Sequence, residues 1–278
     1  MRAESTLAAS LWSTRLITDM SKLEGLAHGA ANLLRGIAGK EKYKKTSAVI
    51  VAAGVSYRMR GIDKQFLSLD GMPVIARTVK AFEDCPAISE IILVTKEDSV
   101  DKLQKLCSEH GFKKIKDITV GGATRQESVW NGFLLVDDKA EFVAIHDGAR
   151  CLITPEQIEA VAREAYRCGA ACAATKATDT VKFSEKGGFI TETLDREKVW
   201  LAQTPQIFGT NLYRAASYTA NEANFKATDD CMLAERIKFN TVKMVECGKY
   251  NMKITTPDDI ILAKAILESR KKDQNEFF

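Results

Sequence analysis

Residues 47–66 read SAVIVAAGVSYRMRGIDKQF. Ser47-Ala48-Val49-Ile50 is an apolar run suited to a buried strand, and the chain leaves it through Val51, two alanines and a glycine instead of a polar turn. In parallel α/β sheets ligands sit beyond the carboxyl ends of the strands, so such an exit is where a ligand is expected. Gly54 lets the backbone come close to a ligand, Ala52 and Ala53 leave room for a flat base, and the loop N–H groups suit phosphate oxygens. Arg58 and Lys64 follow six residues apart, where long cations can fold back over a polyphosphate. Phosphoryl and nucleotidyl transfer rely on such positioning and charge stabilisation. The loop is not a Walker loop, because no G-K-[ST] occurs, and it is not G-x-G-x-x-G. Taken alone, it also reads as a turn carrying two solvated cations.

Outward from this stretch the pattern alternates. Helical periodicity covers PVIARTVKAFEDC (73–85), SVDKLQKLCSEH (99–110), TRQESVWNGFLLV (124–136) and TPEQIEAVAREAYRC (154–168). The last opens with a capping box of Thr154 and Gln157 and proline in the first turn. Strand-like runs are EIILVT (90–95), KIKDITV (114–120), EFVAIHD (141–147) and GAACAAT (169–175). Apolar strands between helices predict an α/β fold, a mostly parallel sheet with helices on both faces. Around Lys-Gly-Gly, residues 179–195 form two short alternating stretches, which predicts a β-hairpin arm projecting from the sheet.

Composition sets the bounds. The 278 residues are 45% hydrophobic and 28% charged, ordinary for a globular protein, and no run of about 18 apolar residues predicts a membrane span. The formal charge is +3. Residues 1–46 hold eight Lys/Arg and four Asp/Glu, a net of +4, which leaves about −1 for the rest and argues against a nucleic-acid partner. The seven cysteines lack C-x-x-C pairs and the three histidines lie far apart, so reduced thiols in a cytoplasmic protein are expected, with no zinc site. Residues 1–46 are read as a loosely helical or disordered extension with weak periodicity and a faint transit-peptide composition; Met20 is an alternative start. The main domain spans 47–270 and a tail 271–278.

Further stretches strengthen the nucleotide reading. GGATRQESVWNG (121–132) places a glycine pair before a helix, so that Gly122, Ala123 and Ser128 can meet a base edge. HDGAR (146–150) puts Asp147 at a strand's carboxyl end, suited to a ribose or a metal-bound phosphate, with Arg150 beside it. TLDR (193–196), QTPQ (203–206), TDD (228–230) and NMKITTPDD (251–259) follow. Helix N-capping accounts for the acids of TDD and TTPDD but not for Lys253, on a strand-like stretch before its helix.

From Ser47 to about Leu267 this ordered set resembles the 2-C-methyl-D-erythritol 4-phosphate cytidylyltransferases of the non-mevalonate isoprenoid pathway. The resemblance implies a Rossmann-like nucleotidyltransferase fold, a homodimer, a need for Mg²⁺, and release of pyrophosphate from CTP. It implies that Ala52, Ala53, Gly54, Gly122, Ala123 and Ser128 hold the cytosine and the start of the nucleotide, with Asp147 and Arg150 at the ribose or Mg²⁺ region. It implies that Arg58, Lys64 and Lys253 are catalytic, surrounding the triphosphate, and that Thr180, Arg196, Thr204 and Thr228 hold methylerythritol phosphate. The chain departs from the pattern at Ser56, often glycine, and at Cys151, often proline; neither removes a catalytic charge. The alternatives are a ribitol 5-phosphate cytidylyltransferase, expected to depart from TLDR and TDD, a sugar-1-phosphate nucleotidyltransferase, expected to lack KITTPDD, and a non-enzymatic nucleotide-binding protein, which has no need of Arg58, Lys64, Asp147 and Lys253 together. A fused cyclodiphosphate synthase is not expected, since no D-x-H metal pair follows the last helix.

Overall fold

A computed structural model describes residues 43–54, 59, 63–238 and 242–275. Residues 1–42 of the extension expected over 1–46, together with Ser56 and Arg58, lie outside the described residues; the last residue of that extension, Thr46, belongs to the first strand. From Lys44 onward the chain forms one compact unit.

Its first strand, β1 (Thr46–Val51), is buried along nearly its whole length and pairs in parallel with strands on both sides, which is why it is apolar without alternation from Ala48 to Val51. The chain continues through the short strands β2 (Ser68–Leu69) and β3 (Met72–Pro73) into helix α1 (Val74–Asp84). Next come β4 (Glu90–Thr95), α2 (Val100–Glu109), β5 (Ile115–Val120), α3 (Arg125–Phe133) and β6 (Phe142–Asp147). Then α4 (Pro155–Cys168) leads into β7 (Ala170–Lys176). Apart from β2 and β3, which the sequence does not predict, these elements follow the sequence reading. The capping box is present, with the Gln157 amide donating to Thr154 Oγ1 and the Thr154 amide to Gln157 Oε1, and Gly169 ends α4 at φ 85°.

The paired strands β8 (Lys182–Phe183) and β9 (Glu192–Thr193) form the expected hairpin, turning through Gly187 and Gly188 at positive φ. Beyond it the sequence predicts only helix starts at TDD (228–230) and TTPDD (255–259) and a strand-like stretch at Lys253. There the structure has β10 (Trp200–Gly209), α5 (Thr210–Glu222), α6 (Asp230–Arg236), β11 (Val242–Glu246) and α7 (Pro257–Asn275). Helix α7 corrects the expected tail, which is helical as far as Asn275. The stretch carrying Lys253, expected to be strand-like, lies between β11 and α7 without strand pairing; it is tied down by Ile254 N–H donating to the Ala149 carbonyl.

The seven-stranded sheet runs β11-β7-β10-β6-β1-β4-β5. Only β10 is antiparallel to its neighbours, so the sheet is mostly parallel. One apolar cluster joins α1, α2 and α4 to one face of the sheet, and a second joins α3, α5 and α6 to the other. A Cβ at Gly132 of α3 would sit 2.6 Å from methyls of both Val49 and Val94, so this glycine lets the helix lie directly on β1 and β4. The chain leaves β1 for β4 and β5 on one side and returns to β6 on the other, which makes the carboxyl ends of β1 and β6 the topological switch point. Val51 and Asp147 face each other there. Among the described residues no helix is long and apolar enough to cross a membrane.

Candidate active site

Three loops meet at this switch point. Ala52 is buried and Gly54 exposed at the end of β1, and among the described residues nothing lies within 4 Å of where a Cβ on Gly54 would sit. A Cβ on Gly121 would collide with Ala53, so this glycine lets the loop after β5 press against the loop after β1. The N–H groups expected to meet a base are engaged within the loop: Gly122 donates to Ser128 Oγ at 3.1 Å and Ala123 to Glu127 Oε2 at 2.8 Å. Ser128 itself is buried and donates to the Thr124 carbonyl at 2.8 Å.

Asp147 is the hub. Its carboxylate lies 3.1 Å from Arg125 Nε, 3.0 Å from Lys253 Nζ and 3.5 Å from Arg150 Nε. Burial alone pushes this carboxyl up; Arg125, Lys253 and Arg150 outweigh it and hold the group well below the usual carboxylate range. Arg150 also donates to the Asn251 carbonyl at 2.8 Å, and Asn251 donates to Gln203 Oε1 and the Thr204 carbonyl. Lys64 opens a turn capped by Asp63, and its Nζ reaches the carbonyl of Ile254, next to Lys253, at 2.8 Å. Four cations (Arg125, Arg150, Lys253, Lys64) gather around two carboxylates, Asp147 and Asp230, the latter 2.7 Å from Arg125. Such a cluster of cations at the ends of parallel strands suits a polyphosphate.

Thr204 is buried rather than presented to solvent. Its Oγ1 accepts from the Asp147 amide at 3.0 Å and lies 3.0 Å from His146 Nδ1; because the Arg150 carbonyl opposite Nε2 can only accept, Nε2 carries the ring hydrogen and Nδ1 accepts from the Thr204 hydroxyl. His146 is then the neutral tautomer with Nε2–H toward the Arg150 carbonyl at 3.3 Å. Thr180, Arg196 and Thr228 are exposed on separate segments: the start of the arm just before β8, the turn after the arm, and the loop before α6. Cys151, the departure after Arg150, is buried against Leu152 and Ile254, and burial pushes its thiol up to about 12.

Sequence reasoning missed Arg125, Asp230, Gln206 and Asn251 as individual residues, although each lies inside a motif it had picked out. Arg125 and Asp230 are 105 positions apart, a pairing no local rule predicts.

Burial lowers the pKa of His146 to about 3. The unfolded chain takes up this proton near 6.5 and the folded chain only near 3, so stability is expected to fall as pH drops through that window. Asp147, depressed below 3.8, adds its own loss only at the acid end. Urea midpoints measured between about pH 4 and 6.5 are expected to slope in the parent protein and to flatten in His146→Gln. Equal slopes in the two proteins would assign the dependence elsewhere.

Residues 46–269 match the family model for 2-C-methyl-D-erythritol 4-phosphate cytidylyltransferase. The chain belongs to this cytidylyltransferase family. It is 41% identical over 232 residues to the family enzyme of Prosthecochloris aestuarii, covering 79% of this chain and 95% of that one. It is 43% identical over 223 residues to that of Caldanaerobacter subterraneus, covering 80% and 98%. Among solved structures it resembles 4-diphosphocytidyl-2C-methyl-D-erythritol synthase from Anaerococcus prevotii, with a TM-score of 0.74 and 32% identity over 81% of this chain and 96% of that one. It also resembles the cytidylyltransferase from Thermus thermophilus, with a TM-score of 0.63 and 29% identity over 80% and 98%. The cytidylyltransferase fold expected from the sequence is thus the one observed.

Proposed function

We propose that this chain is a nucleotidyltransferase that moves the cytidylyl group of CTP onto 2-C-methyl-D-erythritol 4-phosphate, giving 4-diphosphocytidyl-2-C-methyl-D-erythritol and pyrophosphate. The observation that carries the reading is the convergence of Arg125, Arg150 and Lys253 on Asp147, beside Lys64, at the switch point of a sheet whose chain matches the family from 46 to 269. The family match does not favour the ribitol 5-phosphate alternative.

The acceptor phosphate oxygen is ionised at neutral pH and attacks the α-phosphorus directly; the new P–O bond forms as the bond to pyrophosphate breaks. No general base is required. His146 is unsuited to that role, being buried, neutral and bonded at both ring nitrogens. The barrier is electrostatic, since a phosphate must approach a triphosphate, and fixed cations lower it most where charge grows in the transition state. In this reading Lys64 and Lys253 face the phosphates, and the same role is proposed for Arg58 from its place in the sequence motif alone. Ala52, Ala53, Gly54 and the loop from Gly122 to Ser128 face the nucleoside, and Thr180, Arg196 and Thr228 face the acceptor. Thr204 acts through Asp147 and His146, whose positions its hydroxyl fixes.

Among the described residues no group of three or more His, Cys, Asp or Glu side chains is arranged to hold a metal ion, and Asp147 is already shared by three cations. These residues suit Mg²⁺ carried on the nucleotide phosphates rather than caged by protein. Bound there, it supplies charge that offsets repulsion between the phosphates. The exposed Phe183, Phe189 and Ile190 of the arm support a homodimer, and the free cysteines support a reducing, cytoplasmic setting.

The deciding assay offers CTP with either methylerythritol 4-phosphate or ribitol 5-phosphate and follows pyrophosphate release. Methylerythritol 4-phosphate is expected to turn over faster. Preference for ribitol 5-phosphate would overturn the substrate reading.

A further inference from the structure

The segment from Phe225 to Asp230 carries Thr228 and leads into helix α6. Two consecutive residues of α3 hold it from one side. Arg125 Nη1 donates to Asp230 Oδ2 at 2.7 Å, while its Nε donates to Asp147 at 3.1 Å. Gln126 Oε1 accepts from the Ala227 amide at 3.1 Å, and its Nε2 donates to the Phe225 carbonyl at 3.1 Å and to Asn221 Oδ1 at 3.3 Å. On the other side, Gln206 accepts from the amides of Asp230 and Cys231 and donates to Asp229, and Tyr213 donates to Asp230 Oδ1.

The loop Gly121–Thr124 immediately precedes these two residues, and α3 is seated on β1 and β4 through Gly132. One short helix therefore carries the nucleotide-side loop on its N-terminus and grips the Thr228 segment with its first two side chains. We infer that Arg125 and Gln126 are positioning residues that set Thr228, and with it the acceptor phosphate, at a fixed distance from the nucleotide. The inference rests on the reading above that Thr228 belongs to the acceptor side. Attack on phosphorus tolerates little misplacement, so a small shift of this segment costs rate even when every charged group remains.

Gln126 is partly exposed and belongs to none of the apolar clusters, which makes it the cleaner probe. Gln126→Ala is expected to raise the KM for methylerythritol 4-phosphate about tenfold, as for loss of the hydrogen bonds that place a substrate group. The CTP dissociation constant, measured by calorimetry without acceptor, should stay within about twofold. Thr228→Val should give the same pattern, and the double variant should be no worse than the more severe single one, because in this inference Gln126 acts on the acceptor only through the placement of Thr228. An unchanged acceptor KM in Gln126→Ala, a matching loss of CTP affinity, or multiplying effects in the double variant would each overturn the inference. If Gln126→Ala does not fold, the isosteric Asp230→Asn is judged by the same outcomes. A parent protein that binds CTP but does not turn over methylerythritol 4-phosphate sinks the substrate reading, and this inference with it. A parent protein that does turn it over, with Gln126→Ala unaltered, sinks the inference alone.

Discussion

Lys64→Ala is expected to lower turnover by roughly 10² to 10³, about 3–4 kcal/mol of transition-state stabilisation, the loss that follows removal of one preorganised donor. The structure explains why this lysine is preorganised. Asp63 caps the turn that Lys64 opens, accepting from the Gln65 amide at 3.1 Å, and Lys96 holds Asp63 from behind at 3.2 Å. The Lys64 ammonium is drawn to the Ile254 carbonyl, one residue from Lys253, so two cations from distant parts of the chain are brought together. A donor fixed in this way gains most when negative charge develops at the α-phosphorus, and less in the ground state, where the phosphates are also solvated. CTP affinity should therefore fall less than turnover. Steady-state kinetics together with a CTP titration separate the two. Unchanged turnover with weakened CTP binding would mark Lys64 as a ground-state clamp.

What the sequence disclosed about this site follows a physical divide. Strands β1, β4 and β6 were legible because burial on both faces makes them continuous apolar runs, and α4 was legible because its cap is built from residues three apart. Asp147 was legible because a strand's carboxyl end is a place defined by local pattern, and Arg150 because it follows three residues later. The convergence of three cations on Asp147 was not: they come from the start of α3, from the loop after β6 and from the stretch before α7, and only the sheet's crossover assembles them. Strand β10 shows the same limit. It lies antiparallel between β6 and β7 and carries Thr204 and Gln206, whose side chains serve the protein's own network; of the motif QTPQ only Thr204 is given a role by the resemblance. The Thr204 hydroxyl, expected to touch the acceptor, is committed to the Asp147 amide and His146, a use visible only once β6 and β10 are neighbours.

The arm carries the last expectation, a shared active site in the proposed dimer. Its ladder is only two residue pairs long, Lys182 with Thr193 and Phe183 with Glu192, too little to be stable alone in water. Yet it exposes Phe189 at 80%, Ile190 at 63% and Phe183 at 49%, apolar surface that a two-fold partner would cover reciprocally. Arg196 lies at the arm's base, exposed apart from a bond to the Thr178 carbonyl at 3.3 Å, and in this reading it reaches the acceptor of the neighbouring subunit. Lys64→Ala and Arg196→Ala chains should each be nearly inactive. Unfolded and refolded together in equal amounts, half of the dimers should be heterodimers, and each heterodimer should contain one site with both residues intact. Activity should then return to roughly a quarter of the parent value, the statistical expectation for a two-fold dimer. A mixture proven to contain heterodimers, yet no more active than the two mutants summed, would show that Arg196 serves its own chain and that the site is not shared.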